Sequence, residues 1–164
     1  MKCGSPMGVH IIENKPREFC PICNWIYYPQ LKVTAGVLVE AESKILLIQR
    51  AKEPWRGFWY LPAGYVENDE SPRDAAEREG FEETGFSLRI DCLRDIYYYD
   101  DDPRGNGILI LYSASILGGE INENEEAMST KFYKPSELEK LKLAGKAHKR
   151  AVADWLKILK EKSI

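Results

Sequence analysis

Three glutamates near the middle of the chain have the types and the spacing to do chemistry. Glu79, Glu82 and Glu83 are spaced i, i+3 and i+4, which places side chains on one face of a helix. Like charges at this spacing cost an isolated helix roughly 0.2–0.5 kcal/mol per pair. A hard divalent cation with oxygen ligands would neutralise them. The alternative is a solvated acidic face, partly neutralised by an ion pair between Arg78 and Glu82.

Local signals predict the helix that carries these glutamates. Ser71 can cap its first turn, Pro72 suits the first helical position, and Asp74 favours the positive end of the helix dipole. Gly85 is well placed to end the helix. The three carboxylates therefore belong to one helix that begins near Pro72.

A mainly antiparallel sheet is expected to position this helix. Runs of β-branched and aliphatic residues predict strands at 33–39, 45–48, 88–99 and 108–116, with short strands at 59–61 and 131–133. A short helix follows Pro135, and the apolar face of a terminal helix is formed by Ala147, Ala151, Val152, Trp155, Leu156 and Leu159. The predicted fold class is α+β.

Composition bounds the kind of protein. The chain has 164 residues, of which 44% are hydrophobic and 30% charged, which is typical of a globular domain and argues against disorder or a membrane protein. The net charge of −3 offers no basic field for a nucleic acid. Residues 1–12 contain no apolar run of signal-peptide length, so the cytoplasm is the expected location.

The sequence also indicates two parts of the chain. A boundary near Pro29 divides it into 1–29 and 30–164.

A longer pattern surrounds the three glutamates. Gly64 is followed by five residues, Glu70, seven residues and then the run REGFEETGF from Arg78 to Phe86. This pattern resembles the signature of the Nudix hydrolase family, and the resemblance extends over about 31–138. It implies an α/β/α sandwich around a mixed, mainly antiparallel sheet. One residue departs from the pattern: Gly80 stands where the family usually has a bulky aliphatic, at a cost of ~1 kcal/mol relative to Ala.

The resemblance also implies roles for these residues. Magnesium or manganese would be coordinated by the three glutamates and by the backbone carbonyl of Gly64. Arg78, together with Glu70, would orient the carboxylates, and Gly85 would keep its structural place in the motif. The implied reaction is hydrolysis of a phosphoanhydride, and the implied substrate is a nucleoside diphosphate derivative such as ADP-ribose, FAD or NADH.

The general base is expected to be either a glutamate of the motif helix or a glutamate of a later loop, because family members differ in which of the two they use. The later candidates are Glu123, Glu125 and Glu126. Glu126 stands where related sequences often carry such a glutamate, and is the first choice as auxiliary ligand or base. A solvated loop charge is the alternative.

Substrate-binding candidates are a cation and several aromatic residues, on which a base could stack: Arg50, Trp55, Trp59 and Tyr97. The Ser-Gln-Pro-Trp-like segment of NADH pyrophosphatases is not found between Phe86 and Gly119, which disfavours NADH. The expected partner is a small nucleotide rather than a nucleic acid or a membrane. A homodimer is possible, because homodimers are common in the family.

The rival hypothesis is a non-catalytic nucleotide sensor or interaction module that keeps the fold. It is favoured by Gly80 and by an incomplete cysteine set.

That cysteine set lies near the N-terminus. Cys20-Pro-Ile-Cys23 has the spacing of a zinc knuckle and resembles the second half of the zinc ribbon that precedes some Nudix domains, including NADH pyrophosphatases. Cys3 would match the end of the first half, its partner would fall before Met1, and His10 could supply a fourth ligand. The alternative is reduced thiols in a degenerate ribbon.

Three further expectations concern residues outside these sets. Cys92 is expected to be a small buried hydrophobe in a strand. His148 is expected at the surface without a role, and the acidic residues 100–102 are expected to form a solvated loop.

Overall fold

The computed structural model of the chain describes residues 2–122 and 125–162. The chain forms two compact units, 1–30 and 31–164. Within the described part of the chain, none of the helices combines the length and the apolar character that crossing a bilayer requires.

The first unit is a small antiparallel sheet that the sequence pattern did not reveal. Its strands, in the spatial order β1-β2-β3, are β1 (Gly8–Ile12), β2 (Lys15–Phe19) and β3 (Ile26–Tyr27). Most residues of β1 and β2 are exposed, so the strands lack the apolar alternation that marks a half-buried strand. Glu13 and Asn14 have φ values of 53° and 61°, and two such residues form the tight turn that a hairpin favours.

The described residues of the second unit form a seven-stranded sheet and three helices. The strands are β4 (Lys32–Ala41), β5 (Lys44–Arg50), β6 (Trp59–Tyr60), β7 (Ala63–Tyr65), β8 (Phe86–Tyr99), β9 (Gly107–Gly119) and β10 (Ala127–Tyr133). The helices are α1 (Pro72–Thr84), α2 (Pro135–Leu138) and α3 (Gly145–Lys162). The main order is β10-β5-β4-β9-β8, with β6 paired to β5 and β7 to β4. Only the β4–β9 pairing among these described strands is parallel, so the predicted mixed α+β fold is confirmed.

The core has two layers, one on each face of the sheet. Val37 and Val39 of β4 pack in a cluster with Ala75 and Ala76 of α1, whereas Leu38 packs in a cluster with residues of α3. Successive strand side chains point to opposite faces, so α1 and α3 cover opposite faces of the sheet. The helix that carries the glutamates is thereby fixed against β4.

Both ends of α1 follow the predicted signals. The Ser71 hydroxyl accepts a hydrogen bond from the Asp74 N–H at 3.2 Å, which satisfies an otherwise unpaired donor of the first turn. Gly85 has a φ of 80°, and its N–H donates to the Phe81 carbonyl at 2.8 Å. Glycine enters this left-handed conformation without steric cost.

Gly80 lies where α1 packs closely against the sheet. A Cβ added at Gly80 would lie 2.5 Å from Leu88 Cδ1 and 3.3 Å from Val37 Cγ2. The missing side chain is therefore a packing requirement of this molecule, and the departure from the family pattern has a structural reason.

The expectation that Cys92 is buried is wrong. Leu88 and Ile90 are buried on β8, but Cys92 is exposed. The β8–β9 pairing shifts register between Ile90 and Cys92 and again between Leu93 and Asp95. A bulge adds one residue to a strand and reverses its inward and outward alternation, which a simple two-residue period cannot anticipate.

Candidate active site

A cavity of about 330 Å³ opens beside α1 in the second unit. Its wall includes Glu79 of α1, Gly64 of β7, the segment that follows β8, and the first turn of α3. The volume lies within the range of small-molecule sites, roughly 300–1,000 Å³. The predicted catalytic helix therefore borders a space in which a ligand fits.

Gly64 and Glu79 approach each other closely in the wall of this cavity. Gly64 is held opposite Ala35 by the β4–β7 pairing, and a Cβ added at position 64 would overlap the Glu79 carboxylate. Only glycine lets the backbone and the carboxylate come this close. Backbone and carboxylate oxygens are the donors that a hard divalent cation prefers, so this pair fits such an ion.

Arg78 binds the acidic residues that surround this point. Its guanidinium donates to Glu70 at 2.6 and 3.0 Å, to Glu79 at 2.8 Å and to Glu82 at 3.1 Å. It also donates to the Tyr65 carbonyl at 3.1 Å. The bidentate contact lowers the pKa of Glu70 to about 2, with the Glu67 N–H as a second cause. The planar fork of arginine suits this arrangement in a way that a lysine would not.

Glu83 is the buried member of the set, with 4% of its surface exposed. Its carboxylate accepts from the Tyr60 hydroxyl at 2.6 Å and from the Ala63 N–H at 2.9 Å. Burial raises the pKa of Glu83 to about 8 and also raises the pKa of Glu79. A cation between these carboxylates would stabilise their charged forms.

The three motif carboxylates are nevertheless not gathered into a tight ligand cage. Glu79 and Glu82 face Arg78, whereas Glu83 faces Tyr60 and Ala63. Among residues 2–122 and 125–162, the group of at least three ligand atoms within 4.8 Å of one another is formed by cysteines. The carboxylates lie on one helix as predicted, but Glu79 and Glu82 share Arg78 as a partner whereas Glu83 binds Tyr60 and Ala63.

The comparison with protein families decides the identity of the fold. A family model described as the NUDIX domain matches residues 30–156, which is most of the chain. This chain belongs to the Nudix family.

Individual Nudix relatives cover the chain to different extents. The ADP-ribose pyrophosphatase of Methanocaldococcus jannaschii is 34% identical over 126 residues, which span 76% of this chain and 73% of that protein. The NAD-capped RNA hydrolase NudC of Klebsiella pneumoniae is 28% identical over 153 residues, or 93% of this chain but 57% of that protein. A solved Nudix hydrolase from Nitrosomonas europaea has a TM-score of 0.69 at 33% identity, covering 83% of this chain and 77% of its own.

The loop glutamates of this Nudix domain differ in position. Glu126 lines the cavity, and its carboxylate pairs with Lys52 at 2.8 Å, with both side chains about half exposed. The contact raises the pKa of Lys52. Glu125 is exposed, and Glu123 lies outside the described residues.

The four substrate-binding candidates separate into two pairs. Arg50 and Trp55 line the cavity. Trp59 and Tyr97 lie in the hydrophobic core instead. Trp59 packs edge-on against Tyr133 at a centroid distance of 4.8 Å, and the Tyr97 hydroxyl donates to Asp154 of α3 at 3.1 Å. These two aromatic residues are taken by the packing between the sheet and α3, so they are not available to a ligand.

His148 was expected at the surface and is half-buried in the cavity wall. Its Nδ1 accepts from the Leu61 N–H at 3.3 Å, and its ring meets the Tyr60 ring edge-on at 5.7 Å. Burial, assisted by Arg50, lowers the pKa of His148 to about 4. The imidazole is therefore neutral at physiological pH, with its proton on Nε2.

The acidic segment 100–102 was expected to be a solvated loop, but Asp101 and Asp102 are partly buried and all three aspartates have protein partners. Asp101 and Asp102 line the cavity. Asp102 pairs with Arg104 at 2.6 Å and Asp100 with Lys146 at 2.6 Å, while the Lys146 N–H donates to Asp101. The two contacts of Lys146 connect the segment after β8 to the first turn of α3, whereas the pair of Asp102 and Arg104 is local. Contacts between residues 45 or more positions apart cannot be predicted from the local sequence.

In the first unit, three of the four predicted ligands come together. The sulfur atoms of Cys3, Cys20 and Cys23 lie within 4.8 Å of one another, and those of Cys3 and Cys20 are 3.5 Å apart. Hydrogen bonds with Ser5 lower the pKa of Cys3 to about 6, which favours the thiolate that binds metals. His10 is not in this group among the described residues, because it pairs edge-on with Phe19 at 5.1 Å.

Proposed function

We propose that this chain hydrolyses the diphosphate linkage of a nucleoside diphosphate derivative such as ADP-ribose, FAD or NADH in a reaction that depends on magnesium or manganese. The observation that carries the proposal is the contact of Glu79 with Gly64 at the wall of a ligand-sized cavity. ADP-ribose is the first substrate to test, since a relative 34% identical is an ADP-ribose pyrophosphatase. As a Nudix hydrolase, the chain is an enzyme that acts on phosphorus-containing anhydrides.

The metal would be held by the carboxylates of Glu79, Glu82 and Glu83 and by the Gly64 carbonyl. When bound, it would neutralise charge on the diphosphate oxygens and make a water molecule nucleophilic near neutral pH. Arg78 would keep Glu79 and Glu82 in place, because its guanidinium contacts both.

Other cavity residues would bind the substrate and accept the proton. The Nε of Arg50 is buried and has no hydrogen-bond partner in the described part of the chain, so its guanidinium is suited to a phosphate oxygen. The Trp55 ring would stack against the base. A carboxylate oxygen of Glu126 would accept the proton of the attacking water, since this residue lines the same cavity.

The test is a screen with magnesium against nucleoside diphosphate derivatives, followed by a matched pair of variants. We expect Glu79→Gln to lower kcat at least about 100-fold, the effect of losing a major electrostatic group in an active site. Glu77 is exposed on the same helix, and Glu77→Gln should stay within about twofold of the original protein. Chelation of divalent ions should abolish turnover. Full activity of Glu79→Gln would contradict the role assigned to the motif.

The rival function, a nucleotide sensor without turnover, has lost one of its two supports. Gly80 is explained by its contacts with Leu88 and Val37, so it does not indicate decay of a catalytic helix. Magnesium-dependent ligand binding without phosphomonoester release across the panel would favour the sensor.

For the first unit, we propose that Cys3, Cys20 and Cys23 hold a structural zinc ion. Three sulfur atoms within 4.8 Å of one another suit the soft ligand set and tetrahedral geometry of zinc. The fourth ligand would come from outside the described cysteine group.

A further inference from the structure

Tyr60 is a buried tyrosine in the cavity wall whose ring is held from several sides. It is 2% exposed and lies opposite Ile48 in the β5–β6 pairing. The Arg50 guanidinium stands over its ring at 5.6 Å, and the His148 ring meets it edge-on at 5.7 Å. The position of its hydroxyl is therefore set by the backbone and by packing.

That hydroxyl donates to the most buried carboxylate of the motif helix. The Tyr60 Oη lies 2.6 Å from Glu83 Oε1, while the Ala63 N–H donates to Glu83 Oε2 at 2.9 Å. Two donors on two different oxygens together fix the plane of a carboxylate. Ala63 also immediately precedes Gly64, so the Glu83 plane is tied to the backbone that approaches Glu79.

We propose that Tyr60 is a positioning residue for hydrolysis: its hydroxyl orients the Glu83 carboxylate for the divalent ion. The inference rests on the proposed function, because it requires Glu83 to be a metal ligand. Outer residues that orient metal ligands typically change metal affinity or activity about 10- to 100-fold when they are removed. Tyr60 acts through Glu83 and is not itself assigned a contact with the substrate.

A merely structural role for Tyr60 would predict a different result. The ring would then matter for packing, and the hydroxyl would be replaceable. Tyr60→Phe keeps the ring and removes only the hydroxyl, so it separates the two roles. Tyr97 offers a matched control, because it is also buried, its hydroxyl also donates to a carboxylate, that of Asp154, and it lies in the core rather than in the cavity wall.

The experiment compares Tyr60→Phe with Tyr97→Phe by Mn²⁺ titration, read by electron paramagnetic resonance, and by steady-state kinetics. We expect Tyr60→Phe to weaken Mn²⁺ binding about 10-fold and to lower kcat about 10- to 100-fold. KM should change less than about threefold, because no substrate contact is lost. Tyr97→Phe should leave Mn²⁺ affinity and kcat within about twofold of the original values.

Two results would overturn this inference without contradicting the proposed function. Either Tyr60→Phe binds Mn²⁺ and turns over like the original protein, or both variants lose affinity and kcat equally. If the original protein itself neither binds Mn²⁺ nor cleaves any diphosphate, the proposed function fails and the inference fails with it.

A second measurement covers the case in which Tyr60→Phe does not fold. With 3-fluorotyrosine at position 60, the ¹⁹F resonance should move when Mg²⁺ is added and when Glu83 is changed to Gln, because both alter the acceptor of the hydroxyl. A resonance that is unchanged in both cases would contradict the inference.

Discussion

At the scale of single residues, Gly80 sets two effects against each other. Gly80→Ala would gain ~1 kcal/mol of helix propensity, but its Cβ would meet Leu88 Cδ1 at 2.5 Å. Leu88 is 3% exposed, so it cannot easily move aside, and overpacking costs about 1–3 kcal/mol. We expect the free energy of unfolding to fall by about 1 kcal/mol in urea denaturation.

A control on the same helix isolates the packing effect. Phe81 is adjacent to Gly80 and 53% exposed, so Phe81→Ala should change the free energy of unfolding by less than about 0.5 kcal/mol. If Gly80→Ala were more stable than the original protein, the close contact with Leu88 would not be real.

Single residues also show how far a sequence can locate this site. Glu79, Glu82 and Glu83 were predicted because their spacing lies within one helix and within a long pattern. Tyr60 was missed because its partner, Glu83, lies 23 positions away, and His148 because its partner, Leu61, lies 87 positions away. Trp59 and Tyr97 were assigned to the ligand because an aromatic residue looks alike in a core and in a binding site.

At the scale of elements, His148 of α3 binds the backbone between β6 and β7 through a nitrogen that must stay unprotonated. The pKa of His148 is about 4 in the folded chain and about 6.5 when unfolded. As pH falls below 6.5 the unfolded chain takes up the proton first. The neutral His148 therefore makes its full contribution to the free energy of unfolding above pH 6.5. This contribution is lost as pH falls towards 4, and at pH 5 the free energy of unfolding is lower by about 2 kcal/mol.

The measurement is the free energy of unfolding between pH 7.5 and 4.5. In His148→Gln this pH dependence should be weaker by the stated amount. His10, the other histidine of the chain, is exposed in the first unit, and His10→Gln is the control for replacing a histidine outside the cavity wall. Equal slopes for the original protein and His148→Gln would mean that the imidazole is not buried.

Elements with local signals were predicted well, and those shaped by distant contacts were not. The ends of α1 were evident because Ser71 and Gly85 act within one turn. The bulges of β8 were invisible because they depend on register with β9. In the first unit, β1 and β2 expose most of their residues, so hydrophobic alternation could not reveal them.

At the scale of the whole molecule, the proposed zinc ion belongs to one of the two units and can be tested in the intact chain. We expect about one zinc per chain by elemental analysis, and its loss in Cys20→Ser, because three thiolates hold it. Cys92 is exposed in the second unit, so Cys92→Ser should retain the zinc. If the original protein contained no zinc, or if both variants lost zinc equally, the proposal would be wrong and the cysteines would be reduced thiols without a metal.

The parallel pairing of β4 with β9 has a consequence for how the cavity comes into being. Thr34 of β4 pairs with Leu109 of β9, and both residues line the cavity. All of the strands β5 to β8 and the helix α1 lie between them along the chain. Pairings between residues so far apart form late, because a long loop must close first. A refolding chain would thus show helical and hairpin signals before it has a ligand site, and binding should be among the last properties to return.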